Sequence, residues 1–124
     1  MKLFQNKTVR IALIALLVLA LVFAVLLMTA KSRVVGTWQR EVVYLEHYGC
    51  DSIMVTTFHA DGTANSLLTN AQTGAILNAS SGYWDISGFE ASYSIPSKDG
   101  KTVYTFNPIT GNLKNGNYQY QKLN

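Results

Sequence analysis

Residues 52–68 read SIMVTTFHADGTANSLL. The first half is β-branched and aromatic, the composition of a pleated and partly buried strand. Met54, Thr56 and Phe58 fall on one face of that strand, and Ile53, Val55, Thr57 and His59 on the other. Asp61-Gly62 predicts the positive-φ pair of a two-residue hairpin turn. Residues 63–68 then return as the next strand. One hairpin of this kind sets an antiparallel all-β reading for its neighbours.

Working outward, residues 36–48, GTWQREVVYLEHY, place Trp38, Val42, Tyr44 and Tyr48 on one parity. Arg40 and Glu46 share that parity, which predicts a bulge or break near the middle. Residues 48–52 predict a turn. Downstream, residues 70–81 are small, polar and glycine-containing, and read as a loop with a short strand at 75–77. Residues 82–87 alternate, with Trp84 and Ile86 opposite Tyr83 and Asp85. Further strands are expected over 89–95, 101–106 and 118–123. Pro96, Asp99-Gly100 and the NPITGNLKNG stretch at 107–116 separate them. Seven or eight short strands in about 90 residues predict a small antiparallel β-barrel or sandwich.

A different element precedes this domain. Residues 11–30, IALIALLVLALVFAVLLMTA, contain no charge, and Thr29 is their only polar residue. Twenty helical residues rise about 30 Å, the thickness of a bilayer's hydrocarbon core. Cleaved secretory signals carry a shorter apolar region, about 7–15 residues, before a small-x-small site. Here the run is longer and Met28 occupies the −3 position before Ala30, so an uncleaved signal anchor is expected. Lys2, Lys7 and Arg10 precede the run, and Lys31 and Arg33 follow it. The excess favours a cytoplasmic N-terminus. The expected organisation is a cytoplasmic basic segment (1–10), a transmembrane helix (11–30), a linker (31–33) and an extracytoplasmic β domain (34–124). Ala20 and Ala24 form a small-xxx-small pair through which two such helices can associate.

The net charge of +3 belongs to topology rather than to the domain. Beyond Val34 five basic residues face seven acidic ones, so the β domain is net negative. No basic stripe is left to displace counterions from a nucleic acid, and that class is excluded. Cys50 is the only cysteine and has no partner for an intramolecular disulfide. The expectation for it is burial as a small hydrophobe.

Three short segments carry a family resemblance. They are Gly36-Thr37-Trp38, Phe58-His59-Ala60-Asp61-Gly62-Thr63 and Gly82-Tyr83-Trp84. In this order they resemble the G-x-W, F-x-x-D-G-T and G-x-W pattern of small bacterial lipocalin-like domains. The resemblance covers nearly all of the soluble part. It implies a β-barrel and no single activity.

Chemistry-bearing residues are few. His47, Cys50 and Asp51 are close in sequence, and His59 lies one strand away. Their spacing matches no zinc signature and no nucleophile–base pair. No catalytic, metal or cofactor residues are assigned, and no enzyme activity is expected. Aromatics are the denser signal. Twelve lie between Trp38 and Tyr120, on both faces of some strands. Trp38, Phe58, Trp84 and Phe106 are expected in the core. Tyr44, Tyr83, Tyr93, Tyr118 and Tyr120 are the candidate partner-contact residues, since tyrosine-rich and charge-poor surfaces suit protein contacts. The chain therefore reads as a single-pass protein of the inner membrane. Lipid would surround residues 11–30, and the periplasmic or extracellular β domain would meet an envelope protein or a second copy. A carrier of a small apolar ligand is the alternative.

Overall fold

The computed structural model describes residues 6–96 and 100–123. Helix α1 spans Lys7–Val34. Its N-terminus is capped by Asn6, whose side-chain oxygen accepts from the Thr8 amide at 2.9 Å. That contact satisfies one of the donors every helix start leaves open. Among the described residues nine strands follow: β1 (Gly36–Arg40), β2 (Val43–Leu45), β3 (Cys50–Phe58), β4 (Thr63–Asn70), β5 (Ile76–Ser87), β6 (Glu90–Ser94), β7 (Thr102–Phe106), β8 (Leu113–Asn115) and β9 (Tyr118–Lys122).

All neighbours pair antiparallel, in the order β1-β9-β8-β7-β6-β5-β4-β3-β2. β1 also pairs with β3, with Gly36 opposite Phe58, and this contact closes the sheet on itself. β1 and β2 both run along β3, so they are two halves of one strand interrupted at Glu41 and Val42. The result is a closed eight-stranded antiparallel barrel. Closure removes the exposed edges that would invite aggregation.

Alternation explains most of the wall. Trp38, Phe58, Trp84, Tyr104, Phe106, Leu113 and Tyr120 point inward and are buried. Their rings form a chain along the interior. Trp38 meets Phe106 at 6.5 Å, Phe58 lies 5.0 Å from Trp84 and 5.4 Å from Tyr104, and Tyr104 lies 5.4 Å from Tyr120. These spacings and the edge-on geometry of most pairs are the preferred arrangement of aromatic quadrupoles.

Several local expectations are corrected. The turn expected at 48–52 lies at 46–49, and β3 begins at Cys50. The Asp61-Gly62 hairpin is a four-residue loop, 59–62, in which Gly62 takes a φ of 91° and no non-glycine has positive φ. Asp61 instead anchors the loop by accepting from the Thr63 amide at 2.9 Å and from its hydroxyl at 2.6 Å. Of the expected loop at 70–81, only residues 71–75 lie between strands. The rest is the start of β5, the longest strand at 12 residues. Its pairing with β4 shifts between Leu68 and Thr69, so the inward parity changes partway along and the alternation is scrambled in sequence. Gly82 is required there, because a Cβ would collide with the Ser94 carbonyl of β6. Within 107–116, residues 113–115 form β8. Asp99 of the expected Asp99-Gly100 turn and Lys2 of the basic N-terminus lie outside the described residues.

Candidate membrane anchor and partner surface

The main departure concerns residues 31–33. They are not a separate linker, because the helix continues through them to Val34. Ala30 is 1% exposed and Val34 fully buried, both within the barrel's hydrophobic core. The last turn of a helix leaves four carbonyls without intrahelical partners. Here the barrel supplies two donors. Trp38 Nε1 donates to the Val34 carbonyl at 2.8 Å, and Lys122 Nζ to the Arg33 carbonyl at 2.6 Å. The Lys31 carbonyl accepts from the Val35 amide at 3.1 Å.

The basic residues that flank the apolar run are used structurally as well. Arg33 donates to the Pro108 carbonyl at 2.7 Å and sits 4.9 Å from the Phe106 ring centre. Lys31 lies 5.7 Å from the Trp84 ring and 3.9 Å from Asp85. Lys122 lies 5.6 Å from the Trp38 ring. Such cation–ring contacts add about 0.5–1 kcal/mol each where exposed. The helix thus closes one end of the barrel through apolar, hydrogen-bonded and cation–π contacts together. Earlier on the helix, Phe23 meets Phe89 of the β5–β6 turn at 6.0 Å. Phe23, Leu26, Leu27, Ala30 and Val34 follow the spacing of one helical face.

Of the five candidate partner-contact tyrosines, three are exposed and two are not. Tyr44, Tyr83 and Tyr118 are open to solvent. Tyr93 and Tyr120 are only 4% and 5% exposed, which corrects their assignment to a contact surface. Tyr93 points inward on β6 beside Ala91, and its hydroxyl bonds that of Ser80 at 3.0 Å. Tyr120 packs against Tyr104, and its hydroxyl reaches Met54 Sδ at 3.6 Å. Burial pushes both the Tyr120 and Tyr104 hydroxyls above the usual tyrosine range. Tyr83 borders an open cleft of about 520 Å³ with His59, Thr63, Asn65 and Pro96.

Arg40 was not expected in the interior. It is 7% exposed, donates to Ser52 Oγ at 2.8 Å, and lies 5.5 Å from the Tyr118 ring. Its Nε–H has no hydrogen-bond partner among the described residues. Ser52 passes the interaction on to the Val43 carbonyl at 2.8 Å. The sequence signal for it is a cation at the parity of Trp38, two residues further along the strand.

Cys50 and His59 bracket β3 at opposite ends, about 30 Å apart at strand rise. His47 lies in the turn before β3, its ring 4.8 Å from that of Tyr48. His59 shares a 3.0 Å hydrogen bond with Asn65. The Thr63 hydroxyl and amide hold the Asp61 carboxyl below its ordinary range, so this residue serves the loop. Among the described residues, no three His, Cys, Asp or Glu side chains converge on a metal position.

Compared with known proteins, the chain matches no family model, no curated protein and no solved structure.

Proposed function

We propose that this chain is a single-pass membrane protein whose barrel is a non-enzymatic docking or assembly module of a cell-envelope complex. In this reading the N-terminus is cytoplasmic, α1 crosses the inner membrane, and the barrel stands on the far side. One observation carries the anchor half of the reading: Ala30 and Val34 belong to the barrel core. Cleavage after Ala30 would remove a core residue and the Phe23–Phe89 contact, which argues for retention of the helix. An anchor that ends inside its domain fixes the domain's orientation, a useful property in a subunit that must present one face to a partner.

Tyr44, Tyr83 and Tyr118 are the proposed contact residues. We relate the barrel to the small bacterial lipocalin-like domains through inward Trp38 and Trp84, each two residues after a glycine. The carrier alternative needs an apolar cavity of about 300 Å³ or more. The chain of rings from Trp38 to Tyr120 occupies the interior and favours the docking reading.

Crosslinking in native membranes, detergent extraction and mass spectrometry test the proposal. The expected result is an intact N-terminal segment and a reproducible envelope partner or a homo-oligomer. Combined Tyr44→Ala and Tyr83→Ala replacement should break that association while leaving stability within about 0.5 kcal/mol, as exposed positions allow. Recovery of the chain alone and monomeric at native abundance contradicts the docking role.

A further inference from the structure

The position of Phe89 conflicts with a barrel standing wholly clear of the bilayer. Phe23 lies seven residues before Ala30, hence about 10 Å deeper along the helix axis. Its ring contact with Phe89 brings the β5–β6 tip down to that level. If the membrane stopped below Phe89, only residues 11–22 of the apolar run would lie within it. Twelve residues span about 18 Å, far short of a hydrocarbon core of about 30 Å. The run fills the bilayer only if the level of Phe23 lies inside it, and Phe89 then lies there too.

Two further features share this end of the barrel. Ile109 is 84% exposed, on the loop 107–112 whose Pro108 carbonyl accepts from Arg33. Between that loop and the β5–β6 turn lies an open cleft of about 560 Å³, with Phe89, Phe106 and Pro108 among its lining residues. Lys31, Arg33 and Lys122 surround the helix end one to several residues above Ala30. Cations with long apolar stems at that height suit the phosphate layer of a bilayer.

We propose that the helix-side rim of the barrel is embedded in the bilayer surface. The β5–β6 tip enters as far as Phe89, Ile109 rests among the headgroups, and the three basic residues meet lipid phosphates. Glu90, exposed on the same hairpin, sets the limit of entry. This inference rests on the anchor reading and adds to it a second, strand-borne membrane contact. The bound lipid is part of the surface that any partner meets.

Nitroxide labels on the full chain test it, in vesicles of phosphatidylcholine and phosphatidylglycerol. Single sites are introduced by Phe89→Cys, Ile109→Cys, Val18→Cys and Tyr48→Cys in a Cys50→Ser background. Paramagnetic broadening by oxygen is compared with that by a water-soluble nickel chelate. The expected oxygen-to-nickel ratio is highest at position 18, raised several-fold at 89 and 109, and low at 48, in the turn between β2 and β3. Ile109 is solvent-exposed, so its replacement leaves the fold intact even if Phe89→Cys does not. Ratios at 89 and 109 equal to that at 48, with 18 still shielded, overturn the embedded rim and leave the anchor standing. A water-accessible position 18 overturns both.

Discussion

Replacing Trp38 with alanine is expected to lower the barrel's unfolding free energy by about 3–5 kcal/mol, the range for a large buried aromatic. Trp38 is 1% exposed and sits where three parts of the molecule meet. Its ring faces Phe106 from β7, its Nε1 donates to the Val34 carbonyl of the helix, and Lys122 of β9 lies over it. Truncation would leave a cavity and an unsatisfied carbonyl at the helix end. A typical domain is stable by only about 5–15 kcal/mol, so the loss would consume a large share of the total. Urea unfolding in detergent micelles, followed by the fluorescence of Trp84, measures it. A loss under about 1 kcal/mol would contradict a tightly packed interior.

Val34→Asp is the second large effect. Val34 is fully buried against the apolar core, so an aspartate there would be a desolvated carboxylate. The expected cost at neutral pH is at least about 3 kcal/mol. The pH dependence separates charge from mere loss of packing. Burial raises the folded-state pKa of the new carboxyl above its unfolded value. The protonated form is then favoured by folding, and the defect shrinks as pH falls through that raised pKa. Unfolding measured at pH 7 and at mildly acidic pH should therefore show a partial recovery that Val34→Ala does not. Equal defects at both pH values would place residue 34 in contact with water. The sign of the effect thus reports whether the helix end is inside the barrel.

Much of this architecture is legible in the chain. Residues 82–87 alternate cleanly and form the second half of β5 with Trp84 buried and Tyr83 and Asp85 exposed, and the strand expected over 101–106 is β7. A break does fall near the middle, at Glu41 and Val42, but Arg40 stays buried at the end of β1 and Glu46 lies in the turn after β2. Residues 70–81 defeat the same reasoning, because the register shift near Leu68 changes which parity faces inward and small polar residues fill the strand. Tyr93 was nevertheless readable, since glutamate and serines alternate with Ala91 and Tyr93 along β6. Tyr118 and Tyr120 share a parity, so parity alone does not separate the exposed one from the buried one. Depth along the barrel axis decides, and depth is a property of the closed sheet. The junction was hidden for a related reason. Lys31-Ser32-Arg33 contains no helix breaker, and Gly36 is the first one. Whether such residues form a linker or a final turn depends on what Ala30 and Val34 meet, and those contacts come from strands up to 90 residues away.

Helix α1 runs without a break into the barrel core, so anchor and barrel join without a flexible joint. Hydrogen exchange of the full chain in lipid nanodiscs tests it directly, on peptides covering residues 29–38. That window includes the amides of Val34 and Val35 as well as Trp38 of β1. Continuous helix and barrel core predict protection across the whole window, comparable with that of β3 around Thr56. Exchange at residues 31–35 on the timescale of an unstructured peptide, with β3 still protected, would mean that a hinge separates membrane and barrel.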